Sequence, residues 1–213
     1  MEALSRLPAI PIMTLRTTTA VIALGFLGGC RADPQRAVSV YAGPYTNNSL
    51  PEEIALFRPL SFEDATLVAA AYSQVIADPS PDYRWELEGN VAQWFGDQDH
   101  LEFGGLAVFR WQAFPWDHWV DTSFGFGNGL SWATSDPDLE TFFHADTGAT
   151  QLLWHIAMEF EFARPVRHRA SRPSWMDSWA TFVRVHHRSG VFGLFEDVDG
   201  GSNVLALGLR YRW

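Results

Sequence analysis

The chain holds a single cysteine, Cys30, so an intrachain disulfide and a thiolate metal centre are both excluded. Basic residues are scarce: 15 Lys and Arg stand against 25 Asp and Glu, and the net charge of −10 comes without any basic run. A nucleic-acid partner, which requires clustered cations against phosphates, is thereby set aside. The one loose basic cluster, Arg164, Arg167, His168, Arg169 and Arg172, falls in a connection where anionic lipid head groups are the plain partner. Sustained helical periodicity is missing too. The exception is 63–76, whose Ala69, Ala70 and Ala71 fit a helix while the segments on both sides read as strands. No cofactor is implied. Asp97, Asp99, His100 and Glu102 match no metal-ligand spacing and read as a charged turn. Gly125, Gly127 and Gly129 recur at period two, as strand glycines do where packing is close, and form no phosphate loop.

What the chain does have is aromatic side chains, with ten Trp and sixteen Phe in 213 residues. Trp and Tyr collect at membrane interfaces because one end of the ring is apolar and the other hydrogen-bonds. The N-terminus carries Arg6 and Arg16 ahead of the apolar run 20–30, followed by small residues, which is the pattern of a secretory signal rather than a spanning helix. Residues 1–32 are therefore assigned to a signal and 33–213 to one folded domain. Leu27, Gly28, Gly29 and Cys30 resemble a lipobox, which would leave Cys30 as an acylated N-terminus; a cut after Ala32 fits equally well.

The remainder reads as strands, at 37–46, 65–77, 83–95, 100–114, 118–132, 150–163, 175–189 and 202–213, each a period-two run bounded by turn residues. Strands of twelve or more residues exceed the usual five to six. Tilted strands that cross an outer membrane need about nine to eleven. Connections alternate between short ones, at 78–81, 115–117 and 164–174, and longer ones, at 47–64, 133–149 and 190–201, with 96–99 a short exception. That alternation predicts an all-β, eight-stranded antiparallel up-and-down barrel with both termini on the periplasmic side. Each strand also splits by face. Leu87, Val91, Phe103, Ala107, Phe109, Val120, Phe124, Phe126, Leu152, Trp154, Ile156, Met158, Phe160 and Phe162 belong outside. Arg84, Glu86, Glu88, Glu102, Arg110, Asp121, His155, Glu159, Glu161, Arg184, Arg210 and Arg212 belong inside. Eight strands leave an interior that side chains fill, so Glu159 and Glu161 are expected in an ion-pair network and not in acid–base work. A soluble ligand-binding barrel is disfavoured by the aromatic outer face.

In 179–189, Trp179, Thr181, Val183, Val185, His187 and Ser189 share the apolar face and Ala180, Phe182, Arg184, His186 and Arg188 the other. A potential base and nucleophile thus face lipid. Two residues apart on one strand, their Cα atoms are about 7 Å apart, a gap that rotamers must close. A serine needs a base, and the base needs a third group to fix its tautomer.

The sequence His187-Arg188-Ser189, followed by a glycine-rich connection and a last strand ending Leu207-Gly208-Leu209-Arg210-Tyr211-Arg212-Trp213, resembles the C-terminal hairpin of the lipid A 3-O-deacylase (PagL) and acyloxyacyl-hydrolase-like family. Gln93 to Phe103 and the aromatic C-terminus extend the likeness. The resemblance implies an outer-membrane barrel that hydrolyses an ester-linked acyl chain of lipid A, with Ser189 as nucleophile and His187 as general base. Where the family continues with Asn after the serine, this chain has Gly190. The family's last-strand Glu, about twelve residues past the serine, falls on Gly201. Asp199 is the nearest carboxylate on the outward parity, shared by Asp197 but not Glu196, and is the candidate third member. The alternative is a non-catalytic barrel whose rim contacts lipopolysaccharide.

Overall fold

A computed structural model describes residues 36–47, 59–145, 149–165, 175–190, 198 and 201–213. Eight strands run through them: β1 (Arg36–Thr46), β2 (Phe62–Ser80), β3 (Tyr83–Gly96), β4 (Leu101–Trp111), β5 (Asp121–Ala133), β6 (Leu152–Ala163), β7 (Trp179–Ser189) and β8 (Gly201–Arg212). Each pairs antiparallel with the next, and β8 returns to β1, so the sheet closes as a barrel. The signal, Cys30, the lipobox and most of the basic connection (166–174) lie outside the described residues.

Segment 63–76 is strand throughout. Its alanines alternate, Ala69 and Ala71 buried and Ala70 outside, because the pairing with β1 and β3 imposes period two on residues that would accept a helix. β5 begins at Asp121 rather than 118, leaving Val120 ahead of it. The Asp117 carboxylate accepts hydrogen bonds from the Phe114 and Thr122 backbone N–H groups (2.9 and 3.1 Å), which closes a turn over those residues. β7 likewise starts at Trp179, after one 3-10 turn at Trp175–Ser178. Helix α1 (Asp138–Phe143) is too short to show a period. Tertiary contacts hold it, as Leu139 N–H donates to Gln98 Oε1 (3.3 Å) and Glu140 pairs with Arg188 (3.0 Å).

The outer surface is apolar along its length, with Val40, Val68, Leu87, Phe103, Phe126, Phe160, Leu207 and Leu209 all exposed. At the end bearing the short turns it becomes aromatic. Tyr83 and Trp85 pack on Phe109, and Tyr211 contacts both Trp179 and Trp213, a girdle at the level expected of a membrane interface. The lumen is filled and charged. Glu159 on β6 meets Arg110, Arg184 and Arg210 from β4, β7 and β8, at 3.0, 2.8 and 2.6 Å. Arg184 also donates two bonds to Glu88 (2.7 and 2.9 Å), Arg110 two to Glu86 (2.9 and 3.1 Å), and Glu161 takes Arg210 and Arg212. Phe182 lies beneath the Arg184 and Arg210 guanidiniums, with cation-to-centroid distances of 5.5 and 4.9 Å.

At the rim bearing the longer connections the filling changes. Arg188 donates to the Glu140 carboxylate and to the Thr150 and Gln151 carbonyls, while the Ser202 hydroxyl donates to Glu140 (2.7 Å). Burial pushes the Glu140 carboxyl above its ordinary value, against the opposing pull of Arg188 and Ser202. Removing one partner of a buried charged network typically costs about 3–5 kcal/mol. Glu159→Ala is therefore expected to lower the unfolding free energy by about that much in urea titration of the detergent-folded barrel. Leu209→Ala, which exposes no charge and faces detergent, is expected to shift the midpoint far less.

Candidate active site on the outer wall

β7 delivers His187 and Ser189 to the outer face because its inward row is fixed by Arg184, His186 and Arg188, all fully buried. Pairing sets their neighbours. His187 stands opposite Ile156 of β6 and Asn203 of β8, and Ser189 stands opposite Trp154 and Gly201. Both are half-buried, on a wall that continues as Val185, Val183 and Leu205.

His187 is held at one nitrogen. Its Nδ1 lies 2.7 Å from Asn203 Oδ1 and 3.2 Å from the Ser202 carbonyl oxygen. A backbone carbonyl has no proton to give, so Nδ1 carries the hydrogen and donates to both oxygens. In the neutral ring Nε2 is then the free base, which is the tautomer needed to take a proton from a serine. Asn203 is itself buried, 7 % exposed, so its side chain meets the imidazole away from bulk water.

The structure thus brings His187 together with Asn203 and places Ser189 two residues along the same face. Asp199 lies outside the described residues, as does Asp197. Gly201 cannot carry the orienting group, since a Cβ there would lie 1.7 Å from the Arg188 carbonyl oxygen. Two residues further on, Asn203 returns to the outward row of β8 and takes the contact. Counting along the chain missed it because the count assumes a fixed connection length. Strand parity does find it, as the polar member of the row that continues through Leu205, Leu207 and Leu209. Gly190 is constrained in the same manner as Gly201: a Cβ would lie 2.0 Å from the Val198 carbonyl oxygen, so only backbone is offered just after the serine.

No family model and no curated protein sequence matches this chain. Among solved structures it is similar to the outer membrane enzyme PagL, at 11% identity and a TM-score of 0.52, over 83% of this chain and 99% of that one. The fold is that of a bacterial outer-membrane barrel. It is also similar to Ail, the attachment invasion locus protein of Yersinia pestis, solved with the heparin analogue sucrose octasulfate (13% identity, TM-score 0.40, 85% and 99% covered). Neisserial surface protein A gives 14% identity and a TM-score of 0.42, with 84% and 96% covered. At these identities the likeness concerns the fold alone.

Adding a methyl at position 201 must displace the Arg188 backbone, and with it Ser189. Gly201→Ala is expected to lower the thermal unfolding temperature and to open the β7–β8 end to protease, read by limited proteolysis of the folded protein.

Proposed function

We propose that this barrel is an outer-membrane serine esterase that removes an ester-linked acyl chain from lipid A. The observation that carries the reading is the clamp on His187. Two oxygen acceptors fix its Nδ1–H, leaving Nε2 as the free base on the same apolar face of β7 as Ser189. In this reaction Ser189 Oγ attacks the ester carbonyl carbon while its proton passes to His187 Nε2. The tetrahedral intermediate collapses, the C–O bond to the sugar breaks, and the imidazolium returns the proton to the departing alkoxide. Water, deprotonated by the same nitrogen, then hydrolyses the acyl-serine and releases the fatty acid. Position 190 has no side chain, so a backbone N–H replaces a side-chain amide at the developing oxyanion. The apolar wall supplies substrate positioning, since the acyl chain reaches the site without leaving the membrane.

Asn203 orients the imidazole but brings no negative charge to the imidazolium that forms during attack. That neutral third member is the specific feature favouring a second reading, a barrel that contacts lipopolysaccharide without cleaving it. The two separate in one experiment, in which the detergent-folded chain is incubated with lipopolysaccharide and released fatty acid is followed by mass spectrometry. Wild type is expected to release acid, with Ser189→Ala and His187→Gln reduced to background. Asn203→Ala is expected to retain a few per cent of the rate, and Asn203→Asp to exceed wild type because a carboxylate stabilises the imidazolium. Absence of release from wild type, or release unchanged in Ser189→Ala, would establish the second reading.

A further inference from the structure

One group of side chains in the lumen is left without a role by the ion network and by the outer-wall site. Glu102 of β4, His155 of β6 and His186 of β7 are fully buried, and one ligating atom from each lies within 4.8 Å of the others. His186 Nε2 is 2.9 Å from Glu102 Oε1, and the two imidazole rings have centroids 4.1 Å apart. Neither ring nitrogen of His155 has a hydrogen-bond partner among the described residues. Neither amide atom of Asn90 has one either. Both side chains crowd the space above Gly104, where an added Cβ would lie 2.6 Å from Asn90 Oδ1 and 2.8 Å from His155 Nδ1. A buried imidazole and a buried amide left unsatisfied are each costly, because the water they gave up is not replaced by a partner. Such a pair, side by side over Gly104, marks a place where something polar binds.

The donor set says what. Two imidazoles and one carboxylate match the three protein ligands of open zinc sites, whose fourth position is taken by water. Two of the ligands are already oriented from behind, as metal ligands usually are. Glu102 accepts from the Ser131 hydroxyl (2.6 Å) and the Trp94 indole N–H (3.2 Å), and His186 Nδ1 contacts the Tyr41 hydroxyl (3.2 Å). Ligand atoms around tetrahedral zinc stand about 3.3 Å apart, given bond lengths near 2.0–2.1 Å. Glu102 and His186 are that close already, and His155, which no hydrogen bond restrains, has the freedom to close the remainder. Asn90 is available to the metal-bound water. No sequence spacing joins residues 102, 155 and 186, since three different strands contribute them.

We propose that Glu102, His155 and His186 form a buried site for one divalent transition-metal ion of the zinc class, captured as the barrel folds. The ion replaces the proton now shared between His186 and Glu102 and satisfies His155. Its place in the lumen, with His187 on the opposite face of β7, makes it structural and independent of the esterase reading.

The test is to refold the full chain into detergent with zinc or with a chelator, desalt it, and measure bound metal by mass spectrometry alongside the thermal unfolding temperature. One zinc per barrel surviving desalting, a raised unfolding temperature, and loss of both in His155→Gln are the expected results. Wild type refolded with cobalt is expected to show the visible ligand-field bands of a low-coordinate site, a readout that does not depend on the variant folding. Wild type that retains no zinc and shows no such bands, or His155→Gln that retains as much zinc as wild type, would overturn the site, leaving trapped water between His155 and Asn90 as the occupant.

Discussion

Glu159 is the point on which the barrel turns. A carboxylate in a filled lumen is tolerable only if cations reach it, and those that do come from β4, β7 and β8, strands joined to β6 directly or across the interior. Arg184 carries the connection on to Glu88 of β3, and Arg110 to Glu86, so charge neutralisation and strand placement become a single condition. The outer face inherits its order from this. His187 points outward because its neighbours His186 and Arg188 have partners inside, and a side chain between two anchored neighbours on a strand has one side left to it.

Much of this is legible in the bare chain. Alternation separates Arg184, His186 and Arg188 from Val183, Val185 and His187 without any knowledge of contacts, and the same parity sorts Glu159 and Glu161 from Phe160 and Phe162. Eight strands follow from where the alternation stops. What alternation leaves out is whatever depends on distance across the barrel. Helix α1 is six residues held by Gln98 and Arg188, partners far away in the chain, and carries no periodic signal of its own. The start of β5 is displaced by the two hydrogen bonds of one Asp117 carboxylate, a detail of turn chemistry invisible to a face count.

Asn203 belongs between these cases. Its parity is readable, yet its contact with His187 depends on how much chain the β7–β8 connection consumes before the strands pair again, and pairing, not chain count, puts the two residues side by side. The glycines at 190 and 201 fit the same account. Each lies where a carbonyl of the opposing segment approaches too closely for a side chain, so the chemistry that could stand there elsewhere is moved two positions along β8. Neighbouring histidines in β7 illustrate how fully one strand can serve two environments. His186 faces a carboxylate in a buried, charged lumen, and His187 faces an amide on the apolar outer wall.

That double use of β7 bears on how such a chain can change over time. Insertion or deletion of one residue within the strand would transfer Arg184, His186 and Arg188 to the hydrocarbon and turn His187 and Ser189 into the lumen. Arg184, at mid-strand, would cost about 2–4 kcal/mol against hydrocarbon, and Arg188 at the rim less, besides the carboxylates abandoned inside. Length variation is therefore confined to the connections, and β7 is open to substitution but closed to indels.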